Sequence, residues 1–163
     1  MKISACVIVK NEEKNISQWL NNMRQIADEI VVVDTGSTDN TLNILENAEI
    51  TPYHFTWCND FAAAKNYAIQ QATGDWIVFL DADEYFDTSS VQRFRTEMSC
   101  YNANKKIGAI MCQLVNIDTD NRNKIIDTMI QVRIFRNSKD IYYKNSVHEQ
   151  IVTKPGKYIM QKC

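Results

Sequence analysis

Apolar runs alternate with amphipathic stretches over the first half of the chain, and this alternation predicts the fold class. Short apolar runs rich in β-branched residues predict strands at 3–9, 29–33, 51–57 and 76–80. Stretches with apolar residues at helical spacing lie between these strands, at 16–27, 42–48 and 61–72. Strands that alternate with helices predict a mostly parallel sheet with helices on both faces, which is the α/β class.

The pattern changes in the second half, where longer strands are expected to pair in the antiparallel direction. A helix is predicted at 89–101, and two long strands at 108–118 and 125–136 are joined by a polar hairpin loop. A further strand and loop are predicted at 142–152. The second half therefore adds antiparallel strands to the parallel sheet of the first.

Composition excludes several classes of protein. The chain has 163 residues, of which 45% are hydrophobic and 23% are charged, so one globular domain is predicted. A net charge of −2 does not favour nucleic acid as a partner. No apolar run approaches the ~20 residues of a membrane-spanning helix. The odd number of cysteines, with no C-x-x-C pair, disfavours a disulfide framework or a zinc site, and we expect a cytoplasmic protein.

Polar residues follow three of the predicted strands. Residues 10–12 (KNE) follow the first strand, Asp34 follows the second, and residues 81–84 (DADE) follow the fourth. In open α/β sheets, ligands bind outside the carboxyl ends of the strands. The three clusters therefore predict one binding site at that edge of the sheet.

Asp81 and Asp83 are the candidate metal ligands. They lie one residue apart, directly after a buried strand. Their oxygens suit Mg²⁺ or Mn²⁺, because such ions bind one or two carboxylates together with substrate phosphates. The alternative is an ordinary acidic turn.

Asp34 and Lys65 are the candidate binding residues. The Asp34 carboxylate can accept a hydrogen bond from a base or a ribose, or it can organise a turn. Lys65 lies on a helix with small neighbours and can meet a phosphate or a carboxylate, or it can be a solvated surface lysine. The sequence contains neither G-x-G-x-x-G nor G-x-x-x-x-G-K-[ST], which disfavours dinucleotide enzymes and P-loop NTPases.

His148 and Glu149 are candidates for a metal ligand and a general base. If the segment is extended, adjacent side chains point to opposite faces, and the two would then not share one site. The alternative for both is a polar loop. Arg133 and Arg136 are expected to face solvent, with phosphate binding as the alternative.

Four motifs, in this order, resemble family 2 glycosyltransferases of the GT-A fold. They are 7–12 (VIVKNE), 30–39 (IVVVDTGSTD), 64–66 (AKN) and 74–84 (GDWIVFLDADE). The later segments 133–136 (RIFR) and 147–149 (VHE) resemble a bacterial branch with lipopolysaccharide-core and peptide S-glycosylating enzymes.

The resemblance implies an inverting, metal-dependent transfer of a sugar from a nucleotide-diphosphate sugar, with UDP-sugars favoured, to a glycan, lipid-linked or peptide acceptor. It implies Mg²⁺ or Mn²⁺ as cofactor. Asp83 would bind the metal with Asp81, and Glu149 would be the catalytic base, with His148 as base or metal ligand. The nucleotide-sugar-binding residues it implies are Ile8, Val9, Lys10, Glu12, Asp34, Lys65, Asp81 and Ala82.

We expect one domain over residues 1–163, with a nucleotide-sugar-binding half at 1–85 and an acceptor-side half at 86–163 that is truncated at its C-terminal end. The protein is expected in the cytoplasm, with peripheral contact at the inner face of the membrane. Two alternatives remain. One is a module that binds nucleotide sugar without catalysis. The other is a nucleotidyltransferase, although residues 10–13 (KNEE) are not the glycine-rich basic loop of that class.

Overall fold

The computed structural model describes residues 1–154 and 159–162. The first half contains β1 Ile3–Val9, α1 Ile16–Met23, β2 Glu29–Asp34, α2 Thr41–Asn47, β3 Tyr53–His54, α3 Phe61–Gln71 and β4 Trp76–Phe79. The second half contains α4 Thr88–Ala103, β5 Ile107–Asp118, a 3-10 turn Thr119–Asn121, β6 Lys124–Arg136, β7 Ile141–Lys144, β8 Gln150–Thr153 and β9 Ile159–Lys162.

Seven strands form the main sheet in the order β3-β2-β1-β4-β6-β5-β9. The strands β3, β2, β1 and β4 are parallel, whereas β6 is antiparallel to both β4 and β5. The predicted α/β class, with a parallel first half and antiparallel strands added afterwards, is confirmed. A separate two-stranded sheet, β7-β8, is also antiparallel.

The two faces of the main sheet bury two apolar clusters. On one face, β1 residues such as Val7 pack with Trp19 of α1, Leu45 of α2 and Phe94 of α4. On the other face, a cluster that includes Tyr143 of β7 packs against small residues of α3. The helices on both faces therefore match the prediction, and α3 shares its face with the β7-β8 hairpin.

The loops after β1 and β2 are locked together at the carboxyl ends of these strands. Asn11 adopts a left-handed conformation with φ of 59°, and its side-chain oxygen accepts a hydrogen bond of 2.7 Å from the Thr38 amide. The Asn11 amide donates to the Ser37 hydroxyl at 3.0 Å, and the Glu12 amide donates to the Thr41 hydroxyl at 2.8 Å. These bonds fix the loop edge above which a ligand would lie.

Four elements differ from the sequence predictions. One is β8, because the segment predicted as one strand and a loop at 142–152 holds two paired strands, β7 and β8. The strand predicted at 51–57 is only Tyr53–His54, because β3 is an edge strand that pairs over two residues. The helix predicted at 16–27 ends at Met23, although Ile26 beyond it is still buried in the core. The sequence did not predict β9, which pairs in parallel with β5.

Arg136 is not a solvent-facing side chain, so that expectation was wrong. Its guanidinium lies over the Trp76 ring at 4.4 Å, and its Nε donates to the Ile107 carbonyl at 2.7 Å. In the described part of the chain, no helix is both long enough and apolar enough to cross a membrane.

Candidate active site

A cavity of about 670 Å³ opens at the carboxyl ends of β1 and β4. The start of α3 and the loop between β7 and β8 form its other walls. Every predicted site residue except Asp34 lines it, namely Ile8, Val9, Lys10, Glu12, Lys65, Asp81, Ala82, Asp83, His148 and Glu149. The structure therefore brings together residues from four separate segments of the chain.

Lys65 lies at the centre of this group and is buried, with 2% of its surface exposed. Its ammonium nitrogen is 2.9 Å from Asp81 Oδ1 and 2.7 Å from Glu149 Oε1. The same nitrogen lies 5.2 Å from the ring centres of both Phe79 and Tyr143, which is within the range of a cation–π contact. The alternative of a solvated surface lysine is thus wrong. The predicted partner was a phosphate or a carboxylate, and Lys65 contacts two carboxylates.

Arg133 reaches Asp81, one of the two carboxylates that Lys65 contacts, from β6. It is buried, so the expectation that it faces solvent was wrong. Its Nη2 donates to Asp81 Oδ2 at 3.3 Å and to a carboxylate oxygen of Glu84. Burial raises the pKa of the Glu84 carboxyl, and the Arg133 charge offsets only part of that rise. For Arg133, burial acts to lower the pKa, but the charges of Glu84 and Asp81 outweigh it and raise the pKa.

The two aspartates of the predicted metal site differ in their surroundings. Asp81 has one oxygen paired with Lys65 and the other with Arg133. Asp83 is exposed, and its carboxylate has no hydrogen bond or ion pair with any residue that the structure describes. The described residues contain no group of three or more His, Cys, Asp or Glu side chains that could hold a metal ion. Asp83 alone fits a site where one carboxylate, substrate phosphates and water share Mg²⁺.

Asp34 is buried beside the cavity and organises the turn that follows β2. Its two oxygens accept hydrogen bonds of 3.0 Å from the amides of Gly36 and Ser37. Thr35 lines the cavity instead. The turn-organising alternative therefore describes the contacts of Asp34, and its role toward a ribose stays a prediction.

His148 and Glu149 lie in the loop between β7 and β8, and both line the cavity. The expectation that they point to opposite faces was wrong, because His148 is not extended but left-handed, with φ of 54°. Glu149 uses Oε1 for Lys65, and Oε2 has no partner among the described residues. A carboxylate with one oxygen held and one available can accept a proton at the available oxygen.

Two aromatic residues of the cavity were missed by the sequence analysis. The rings of Trp57 and Phe61 meet edge to face at 4.8 Å, and 43% of the surface of Phe61 is exposed. Both line the cavity. No sequence signal identified the pair, because a four-residue spacing makes neighbours only within a helix, and Trp57 lies before α3 and was assigned to a strand.

A second cavity of about 540 Å³ lies beside the first and shares Asp81, His148 and Glu149 with it. Strands β6, β7 and β8 supply its other walls. Two of its polar atoms, Arg133 Nε and the Tyr143 hydroxyl, are buried without a hydrogen-bond partner in the described part of the chain. Burial raises the pKa of Tyr143 well above its usual range. The shared residues thus stand between two cavities.

Curated relatives match most of this chain but only part of their own length. A TPR repeat-containing protein of Synechococcus elongatus is 32% identical over 150 residues, which cover 92% of this chain and 35% of that protein. The SPbeta prophage-derived glycosyltransferase SunS of Bacillus subtilis is 38% identical over 86 residues, covering 52% of this chain and 20% of that protein. This chain therefore spans well under half the length of these two relatives.

Solved structures share the fold. TarS 1-349 of S. aureus, in complex with UDP-GlcNAc, has a TM-score of 0.67 at 18% identity and covers 100% of this chain and 59% of its own. The mannosyltransferase PcManGT of Pyrobaculum calidifontis, in complex with GDP-Man and Mn²⁺, has a TM-score of 0.58 at 28% identity, over 68% of this chain and 35% of its own. The sequence signature described as Glycosyl transferase family 2 matches residues 4–160. This chain, with its GT-A fold, belongs to glycosyl transferase family 2.

Proposed function

We propose that this domain transfers a sugar from a nucleotide-diphosphate sugar to a glycan, lipid-linked or peptide acceptor, with inversion at the anomeric carbon. The observation that carries the proposal is the position of Glu149 at the junction of the two cavities. In this scheme the first cavity holds the donor and the second holds the acceptor. The nucleotide-sugar complexes of TarS and PcManGT support a donor of this class.

The chemistry is a single displacement. The acceptor's oxygen or sulfur attacks the anomeric carbon as the bond from that carbon to the diphosphate oxygen breaks. Glu149 takes the acceptor's proton on Oε2, and the nucleoside diphosphate departs with the bonding electron pair. Asp81 is unsuited to act as a covalent nucleophile, because both of its oxygens are ion-paired. One displacement without a covalent intermediate inverts the configuration.

Asp83 is the residue proposed to hold Mg²⁺ or Mn²⁺. It is exposed in the donor cavity, and none of the described residues engages its carboxylate. A divalent ion there would neutralise charge on the departing diphosphate. The Mn²⁺ in the PcManGT complex supports the use of a divalent ion, and the choice of Asp83 rests on its position in the cavity. Asp81 is proposed to orient the side chains of Lys65 and Arg133 rather than to bind the metal directly.

The donor cavity offers aromatic, aliphatic and hydroxyl surfaces for the base and the sugar of a nucleotide sugar. Trp57 and Phe61 give an aromatic surface on which a planar base or the apolar face of a sugar can stack. Ile8 and Val9 form an aliphatic wall, and Thr35 adds a hydroxyl. A preference for UDP remains part of the proposal, and GDP is the competitor to test.

A cytoplasmic location with peripheral membrane contact belongs to the same proposal. Cys6, Cys58 and Cys100 are free thiols, which suits a reducing compartment. A role in building cell-envelope glycans is proposed on the resemblance to the bacterial branch alone.

Calorimetric titration tests the donor and metal assignments together. The wild-type chain is titrated with UDP and with GDP, each with and without Mn²⁺, beside Asp83→Asn and the matched control Asp120→Asn. Asp120 is exposed on the turn between β5 and β6 and does not line the cavity. We expect one nucleotide to bind in a Mn²⁺-dependent manner, with affinity at least tenfold lower in Asp83→Asn and unchanged in Asp120→Asn. Equal affinity in all three proteins would contradict the metal assignment.

Release of nucleoside diphosphate from a panel of nucleotide sugars then tests catalysis. Transfer, or slow hydrolysis of one donor, is expected from the wild-type chain. Tight nucleotide binding without either reaction over hours would instead identify a non-catalytic binding module.

A further inference from the structure

We propose that helix α3 positions the proposed catalytic base, with Asn66 and Lys65 as two positioning residues that fix the loop at 145–149. The inference rests on the proposed function, because it gives Glu149 the role of base. It departs from the role that the resemblance implies for Lys65, which is a contact with the nucleotide or its phosphates. It also assigns a role to Asn66, which the predicted site did not include.

Asn66 holds the end of β7 by both groups of its side-chain amide. Its Nδ2 donates to the Tyr143 carbonyl at 2.8 Å, and its Oδ1 accepts from the Tyr143 amide at 2.8 Å. A side-chain amide that matches a backbone amide in this way behaves like one more pair of strand hydrogen bonds. Tyr143 lies two residues before the loop, so this pair of bonds sets where the loop starts.

The first turn of α3 holds the middle of the loop. The Phe61 amide donates to the Ser146 carbonyl at 3.0 Å. The first amides of a helix have no partner within the helix, so they are available for such a contact. Asp60 caps the same turn by accepting from the Ala63 amide at 2.9 Å, which fixes the helix start against which the loop packs.

Lys65 holds the far end of the loop through Glu149 Oε1 at 2.7 Å. The ammonium is buried between two carboxylates, and the second one, Asp81 Oδ1 at 2.9 Å, follows β4 of the main sheet. Lys65 therefore fixes the spacing between the proposed base and the strand end beside the donor. Both of these contacts are made within the protein, so two of the three ammonium donors hold carboxylates in place.

The loop needs these contacts because its residues 145–148 are exposed and lie outside both core clusters. Its strands β7 and β8 form a sheet separate from the seven-stranded one. Two of its residues, Asn145 with φ of 76° and His148 with φ of 54°, adopt the left-handed conformation that side chains disfavour. Contacts outside the loop must therefore keep it in this shape, and α3 supplies one at its start, one at its middle and one at its end.

The test compares Asn66→Ala with Gln70→Ala, a matched control on the exposed face of the same helix. Hydrogen exchange of the full chain is measured for peptides that cover 141–149 and, as a folding control, for peptides that cover β1. We expect exchange at 141–149 to become at least tenfold faster in Asn66→Ala and to stay unchanged in Gln70→Ala. Exchange in β1 should stay slow in both variants. If Asn66→Ala does not fold, the same result is expected of Asn66→Ser, which removes less volume.

Kinetics separate a positioning role from a merely structural one. In Asn66→Ala, kcat for sugar transfer should fall at least tenfold, while the KM for donor and the affinity for nucleotide stay within twofold. Unchanged exchange at 141–149, or unchanged kcat with a loosened loop, would overturn the positioning role. A wild-type chain that binds nucleotide but transfers no sugar would instead overturn the proposed function, and the exchange data would identify that case separately.

Discussion

The two ends of the parallel sheet each gather charged residues, but they use them differently. At the amino end, the Glu29 carboxylate accepts hydrogen bonds from the Thr73 amide at 2.7 Å and the Thr73 hydroxyl at 2.6 Å. It also accepts from the Ser4 hydroxyl and from Lys2 Nζ, the latter at 3.1 Å. Both oxygens of this carboxylate are therefore engaged within the protein.

At the carboxyl end, several groups keep free hydrogen-bonding capacity. Lys65 pairs with Asp81 and Glu149, yet Oε2 of Glu149 and the whole carboxylate of Asp83 have no partner among the described residues. The buried Tyr143 hydroxyl is in the same condition. A buried polar group without a partner, such as the Tyr143 hydroxyl, reduces stability unless a ligand engages it. At the amino end the charged groups are thus engaged within the protein, whereas at the carboxyl end carboxylate oxygens remain available for the ligand site proposed above.

The largest effect is expected from Glu149→Gln, which removes the proposed base and keeps its shape. Loss of a general base lowers turnover by about 10²–10⁴-fold. Nucleotide affinity should change less than twofold, because the proposed role of Glu149 lies on the acceptor's side. Turnover is measured as release of nucleoside diphosphate from the nucleotide sugar. Glu46→Gln, on the exposed face of α2, is the control. Retained turnover in Glu149→Gln would rule this residue out as the base.

Much of the fold could be predicted because burial leaves a plain pattern. The strand predicted at 3–9 is found at Ile3–Val9, and the one predicted at 29–33 ends one residue later, at Asp34. Both are central strands covered on two faces, so residues 5–9 and 30–33 are all apolar. The edge strand β3 has no such cover, since both of its residues are exposed, and its pattern misled the prediction.

The candidate site could be predicted only in part. Asp81 and Asp83 were placed at the edge where the cavity lies, because ligands of open α/β sheets bind outside the carboxyl ends of the strands. The partners of Lys65 could not be predicted, since Glu149 comes from a distant hairpin whose approach depends on tertiary packing. The shared location of His148 and Glu149 was also hidden, because one left-handed residue cancels the alternation expected of a strand.

The second-largest effect is expected from Glu29→Gln, which should lower the free energy of unfolding through contacts at the amino end of the sheet. Burial acts to raise the pKa of Glu29, but hydrogen bonds from Ser4, Thr73 and Lys2 outweigh it and lower the pKa from 4.5 to about 2. The charged form is thus favoured by folding. Loss of these charge-assisted bonds should lower the free energy of unfolding by about 2 kcal/mol at pH 7.

The sign of the pH dependence follows from the lowered pKa. The contribution of Glu29 is present above its unfolded value of 4.5 and is lost as the pH falls toward the folded value of about 2. Urea unfolding at pH 7 and at pH 3 should therefore show a smaller difference between wild type and Glu29→Gln at the lower pH. Nucleotide affinity at pH 7 should not change. A difference that grows as the pH falls would contradict this account of the amino end.

The smallest effect is expected from Trp57→Ala, which should weaken binding of the nucleotide sugar at the carboxyl end of the sheet. Its ring is part of a solvent-facing aromatic pair and contributes to the donor cavity rather than to either core cluster. Trp57→Ala should therefore weaken nucleotide-sugar affinity about fivefold, or ~1 kcal/mol, with little change in unfolding free energy. Trp57→Phe keeps a ring and should stay within twofold of wild type in the same titration. Equal affinity in Trp57→Ala would show that the pair does not contact the donor, whereas a stability loss with unchanged affinity would make Trp57 a structural residue like those at the amino end.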